Sequence, residues 1–218
     1  MSIRRYYTPE EVCVHNAASD CWVSIFHKVY DLTALIAEHR GPLTEPLIQA
    51  AGQDISHWFD AKTGGVKLAV DPARGIAVPY IPFGRFVHVP PVDPTSSWDT
   101  NFGTEWWRDD DVVIGKLSKK TRGVRVVNVL TQQDNRLTVC AEESLEEIRE
   151  RYLEYNAHAA SYTWKMLKAG KFLPMDMALT LEENGVVDES VEFEELGIDD
   201  DAFTPCIHLY FNDDLTLA

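Results

Sequence analysis

The segment from Asp20 to Phe59 constrains the fold most, because it compresses two strand signals and two helical stretches into a short span. Trp22-Val23-Ser24-Ile25 and Val29-Tyr30 read as strands, whereas Leu32 to Ala37 and Leu43 to Ala51 carry helical periodicity. Upstream, Thr8 is placed to cap a short helix that starts at Pro9, whose missing N–H would have no partner in a first turn anyway. These signals define an α+β module that runs to about residue 78.

Short motifs follow one another through this module. They are Tyr7-Thr8-Pro9-Glu10-Glu11-Val12, His15-Asn16, Asp20-Cys21-Trp22-Val23, Lys28-Val29-Tyr30-Asp31-Leu32-Thr33, Glu38-His39-Arg40-Gly41, Ala51-Gly52-Gln53-Asp54 and Phe59. In this order they resemble the core of cytochrome b5. That resemblance implies haem b clamped between two axial histidines, with His39 as the first iron ligand. The family's His-Pro-Gly-Gly turn corresponds to His39-Arg40-Gly41-Pro42, in which Gly41 can still take a positive φ while Arg40 and Pro42 change the free backbone N–H groups.

The position of the family's second ligand is Gly64, in Lys62-Thr63-Gly64-Gly65, so a substitute is needed. The candidates are His57, which lies seven residues early or about 10 Å of helical rise, and His88, farther along the chain. Each also has an ordinary reading: His57 as a helix-face residue beside Trp58, His88 as a hydrogen-bonded residue of a strand. The resemblance is therefore compatible with haem b on His39 and a substitute ligand, and equally with a b5 fold holding little or no haem.

Composition narrows the classes. A formal net charge of -15 disfavours nucleic acid and anionic membrane surfaces, both of which need a basic face. After Lys171 there is no Lys or Arg, while thirteen Asp and Glu follow, which reads first as a solvated acidic face and second as a surface for a basic protein partner. No run of apolar residues is long enough to span a bilayer, and the start of the chain lacks a signal-peptide pattern. Cys13, Cys21, Cys140 and Cys206 have no C-x-x-C spacing and read as reduced thiols.

Five prolines fall between Pro79 and Pro94, so residues 79–111 read as an extended strap. Its aromatic residues, Tyr80, Phe83, Phe86, Trp98, Phe102, Trp106 and Trp107, make it too apolar for a free linker, so it is read as packed across one or both modules. From residue 112 to 218 a second module is expected. Val124 to Leu130 and Arg136 to Cys140 form a hairpin around a turn at Gln132 to Asn135, and Ser144-x-x-Glu147 is a capping box that opens a helix. Strands at Tyr162 to Lys165 and Ile207 to Phe211, with a Gly170 turn leading to Phe172-Leu173, complete a ββαββ order. With its K-x-G-K-x-L and T-L-x-x-x-G pieces, this order resembles a ubiquitin-like β-grasp domain. Its expected core is Val126, Leu137, Ile148, Trp164, Leu181 and Leu209.

No nucleophile elbow, flavin motif or nicotinamide fingerprint accompanies either module, so an enzyme is not expected. The three-part order resembles a family of proteins of motile cilia. What that implies is a non-enzymatic component of the cytoplasm and cytoskeleton, placed in the axoneme of cilia or flagella and attached to radial spoke stalk subunits, in which haem or redox state influences beating. Binding to bare tubulin is not expected, because both surfaces are acidic.

Overall fold

In the computed structural model, the described residues are all except 1–4, 97, 99, 200–202 and 213–218. The chain divides into two compact units, Met1–Leu117 and Ser118–Ala218.

The first unit is built on a five-stranded sheet of order β1-β7-β4-β3-β2, formed by β1 (Tyr6–Tyr7), β2 (Asn16–Ala17), β3 (Asp20–Ile25), β4 (Lys28–Asp31) and β7 (Val113–Leu117). A short hairpin of β5 (Leu68–Val70) and β6 (Ala77–Pro79) stands apart from it. Helix α1 (Pro9–Val14) opens with the expected cap: the Thr8 hydroxyl accepts the Glu11 N–H and the Glu11 carboxylate accepts the Thr8 N–H. Helices α2 (Thr33–Glu38) and α3 (Glu45–Gln49) bury Leu35, Ile36, Pro46 and Leu47. Cys21 lies fully buried among them, and burial, with Asp31 and Asp20 adding to it, pushes its thiol up to about 12. It is inert at neutral pH, whereas Cys13 is exposed.

The strap at 79–111 is packed, as its aromatic content implies, and it forms part of the first unit rather than a segment of its own: Phe86, Val87, Val89, Trp106 and Trp107 belong to that unit's core. One expectation changes, since the second module does not begin at residue 112: Val113–Leu117 pairs with β4 and, in parallel, with β1, which places that strand inside the first sheet. Pairing removes the open edge of β4, which would otherwise expose a row of unpaired backbone groups. Gly115 is needed there, since a Cβ would come within 2.6 Å of the Tyr7 ring.

The second unit carries a sheet of order β11-β10-β12-β8-β9. Its strands are β8 (Thr121–Asn128), β9 (Gln133–Cys140), β10 (Tyr162–Lys168), β11 (Lys171–Pro174) and β12 (Cys206–Phe211). First and last strands run parallel at the centre, with Ile207 opposite Val126, and the remaining pairs are antiparallel. This is β-grasp connectivity. The hairpin turn falls before Gln133 rather than over Gln132 to Asn135, with Gln132 in the left-handed region at φ 57. Helix α4 (Leu145–Tyr152) begins with the expected capping box at Ser144 and Glu147. All six expected core residues are at most 6% exposed and belong to one buried cluster. Helix α5 (Ser190–Leu196) was not legible in its acidic run; it buries none of its residues and ends at Gly197 in the left-handed region.

An ion pair lies within this unit. The Arg151 guanidinium donates from Nε to both Glu143 oxygens at 2.8 and 2.9 Å, while the Cys140 N–H donates to the same carboxylate at 2.9 Å. Glu143 is 1% exposed, so removing its carboxylate strands a buried cation. Glu143→Ala is expected to destabilise the second unit by about 3–5 kcal/mol, read as a lower urea midpoint. The exposed Glu146→Ala, changed for comparison, should move it by less than about 1 kcal/mol.

Candidate functional site

His39 follows the last residue of α2, and its N–H closes that helix on the Leu35 carbonyl at 3.0 Å. The turn behind it is tied down locally: Gly41, at φ 151, offers its carbonyl to both the N–H and the hydroxyl of Thr44. The Leu43 carbonyl then accepts the Val87 N–H at 3.2 Å, which holds the strap against this turn. That bond carries His88 to His39. The two rings meet edge to face, with centroids 5.7 Å apart.

His88 is not on a strand. It occupies a turn at φ 68, a conformation that non-glycine residues adopt only where surroundings over-determine it. Its Nδ1 accepts the Trp106 N–H at 3.0 Å, and its ring stacks on Phe102 at 4.2 Å with 11° between planes. Trp106 is fixed again through its indole N–H, which donates to the Val87 carbonyl at 3.2 Å. Phe102 and the Trp106 N–H are therefore site partners that no sequence motif marked; the aromatic density of the strap was the available signal. His57 sits elsewhere, exposed on a single 3₁₀ turn and edge-on to Trp58 at 6.1 Å.

Haem ligation by two imidazoles requires a lone pair from each. A ligating histidine normally donates its other ring N–H to an acceptor. His88 does the reverse: Nδ1 already accepts, so in the neutral ring Nε2 carries the proton and has no lone pair to offer. Gly64, the position of the family's second ligand, lines a pocket of about 380 Å³ with Tyr30, Phe59 and Trp107, and neither His39 nor His88 lines it. A cavity of about 550 Å³ opens beside the His39 turn, lined by Ile36, Ala37, Arg40, Gly41, Thr44 and Ile48, and neither His39 nor His88 lines it. In this arrangement the residues do not fit b5-type bis-histidine haem ligation. Among the described residues no cluster of three His, Cys, Asp or Glu is placed to hold a metal ion.

The electrostatics agree with a packing role. Burial pulls the His88 imidazole below its ordinary value and His39 adds to this, against weaker opposition from Glu105 and Glu38. A base depressed in the folded state binds more protons when unfolded, so stability is retained above the unfolded value of about 6.5 and is lost as pH falls through that value toward the folded one. Protonation of Nδ1 also breaks the bond from Trp106. Urea midpoints of the full chain are expected to decline between about pH 7 and pH 5, and His88→Gln, whose amide oxygen can accept the same N–H without titrating, should decline less steeply. Parallel curves would show that another group governs this range.

Comparison with known proteins sets this geometry in context. The family model "Cytochrome b5-like Heme/Steroid binding domain" matches residues 8–69. Cytochrome b5 of Oryctolagus cuniculus is 31% identical over 104 residues, covering 45% of this chain and 78% of that protein. Similarity over the whole length is found in "Cytochrome b5 domain-containing protein 1" of Homo sapiens, 52% identical over 98% of this chain and 92% of the relative. The protein of the same name from Xenopus laevis is 55% identical over 213 residues, which is 97% of this chain and 96% of its own length. Identity of this order spans both units and the aromatic strap, and the chain belongs to the cytochrome b5 domain-containing protein 1 family.

Proposed function

We propose that this protein is a non-enzymatic docking component of motile cilia, attached to the radial spokes of the axoneme, in which the b5-like unit acts as a scaffold and the second unit as the attachment module. The observation that carries this reading is the core of the b5-like unit, where Phe86, Trp106 and Trp107 of the strap are buried and the only histidine beside His39 among the described ring contacts is engaged by Trp106. The axonemal placement rests on the resemblance of the three-part order to ciliary proteins. Net charge of -15 argues for attachment through other axonemal proteins rather than through acidic tubulin.

A second reading is favoured by one observation, the approach of His39 and His88 to 5.7 Å. In it the protein is a haem-responsive sensor or b5-type electron carrier, and the His88 ring must first release the Trp106 N–H.

Two experiments separate these readings. With haem added to the purified protein, the docking reading expects only the broad absorption of loosely held haem. A sharp low-spin Soret band on reduction, lost in both His39→Ala and His88→Ala but kept in His57→Ala, would establish the sensor instead. For attachment, fragments are divided after Leu117, since a cut at residue 111 would strip β7 from the first sheet. Residues 118–218 build their own core, and they are expected to enter axonemes of cells lacking the protein, while residues 1–117 do not. Incorporation of the first fragment alone would overturn the assignment.

A further inference from the structure

The hairpin of β5 and β6 is a sheet of its own, and two strands alone are marginally stable in water. Its register sets Leu68 opposite Pro79, Ala69 opposite Val78 and Val70 opposite Ala77. The Tyr80 N–H donates to the Lys67 carbonyl at 2.7 Å and the Asp71 N–H to the Ile76 carbonyl at 2.9 Å, which fixes the phase of the ladder. Ala69 and Val78 are then a hydrogen-bonded pair. The N–H and C=O groups of Leu68 and Val70 consequently point away from β6, along an open edge.

Proteins blunt such edges with proline, charge or cover. β6 carries a block in Pro79, which has no N–H to give. On β5 the outward groups belong to Leu68 and Val70, whose side chains are 69% and 71% exposed, and alternation places them with Ala77 and Pro79 on a face that is apolar throughout. The edge also has a charge pattern. Lys67-Leu68-Ala69-Val70-Asp71 is self-complementary when laid antiparallel about Ala69: Lys67 falls opposite Asp71 of a second copy, and Leu68 opposite its Val70. In that register the Leu68–Val70 pairs are of the hydrogen-bonded kind that their outward groups require, and the Lys67–Asp71 pairs are of the closer, non-hydrogen-bonded kind. A slip of one residue would set outward groups against Ala69, whose own are used by Val78. A slip of two keeps backbone bonds and loses both charge pairs. The two charges are accessible: Lys67 is exposed, and Asp71 accepts the Ala73 N–H through Oδ1 at 2.8 Å while its Oδ2 lies 3.8 Å from Arg74 Nε, a side chain held more closely by Asp93 at 2.7 Å.

We infer that the β5 edge is a self-association surface, at which a second copy of this chain adds its own β5 to give a continuous β6-β5-β5-β6 sheet about a two-fold axis at Ala69. Leu68 and Val70 of both copies then lie side by side on one face, and opposite charges pair across the other. A foreign strand would satisfy the backbone groups, but the chain's own strand supplies the bonding phase and both ends of the charge pattern together. Such an edge covers far less than the about 800 Å² per partner of a standard interface, so association is weak, with a Kd on the order of 10⁻⁵ M. It operates where copies are held close together on a shared assembly. The inference rests on the first unit alone and is independent of docking by the second.

The test is sedimentation equilibrium of the full chain over a concentration series, in which a reversible dimer is expected. Leu68→Pro removes an outward N–H and leaves the bonds to β6 in place, and it should abolish the dimer with an unchanged urea midpoint. Lys67→Asp and Asp71→Lys should each weaken association about tenfold, because the charge clash acts at both symmetry-related pairs. Mixed in equal amounts, these two variants should regain the original affinity as a heterodimer, since each supplies the charge that the other lacks; damage to the hairpin itself would not be rescued in this way. A chain that is monomeric throughout, or dimers indifferent to Leu68→Pro, would overturn the proposal. Loss of association in both charge variants without recovery in the mixture would overturn the antiparallel register on which it stands. Strand peptides tiling other axonemal proteins that bind a monomeric chain, and that are lost in Leu68→Pro, would put a foreign strand in place of the second copy and overturn it as well.

Discussion

The burial of Phe86 among four other aromatic rings is the interaction on which the first unit depends. Trp58, Phe59, Trp106 and Trp107 surround it with centroids 5.3–6.3 Å away, and the five residues are at most 9% exposed. Rings of this size dominate the energetics of a small core. Because three of them come from the strap, a segment rich in proline is drawn into the interior and must run close to the His39 turn. The left-handed backbone of His88, its bond from Trp106 and its approach to His39 all follow from that closure.

A b5-like sheet normally has to manage an exposed edge. Here the chain returns after the strap to lay Val113–Leu117 between β1 and β4, so closure of the core and closure of the sheet are achieved by one continuous excursion. The histidines are then reporters of packing. A ring whose Nδ1 satisfies a backbone N–H and whose face covers Phe102 is committed on two sides.

The second unit separates its chemistry by face. Its helix side holds the apolar cluster and the Arg151–Glu143 pair, an arrangement that is costly to break but contributes little by itself relative to an apolar core. Its open side holds cations and exposed aromatics. Net charge read along the chain averages over these surfaces.

Local pattern was enough for much of this. The caps at Thr8 and Ser144, the strands around Trp22 and Tyr30, and the core from Val126 to Leu209 were legible because each depends on spacing within a few residues, and α5 was missed because it buries no residue to create a periodic signal. The identity of the b5 family could likewise be read from short motifs in order. Tertiary structure alone decided that the strap packs into the core of the first unit, that Val113–Leu117 belongs to the first sheet, and that His88 rather than His57 meets His39. These are contacts between residues tens of positions apart, and they follow from which aromatic rings can share one interior, a property of packing that no local pattern encodes.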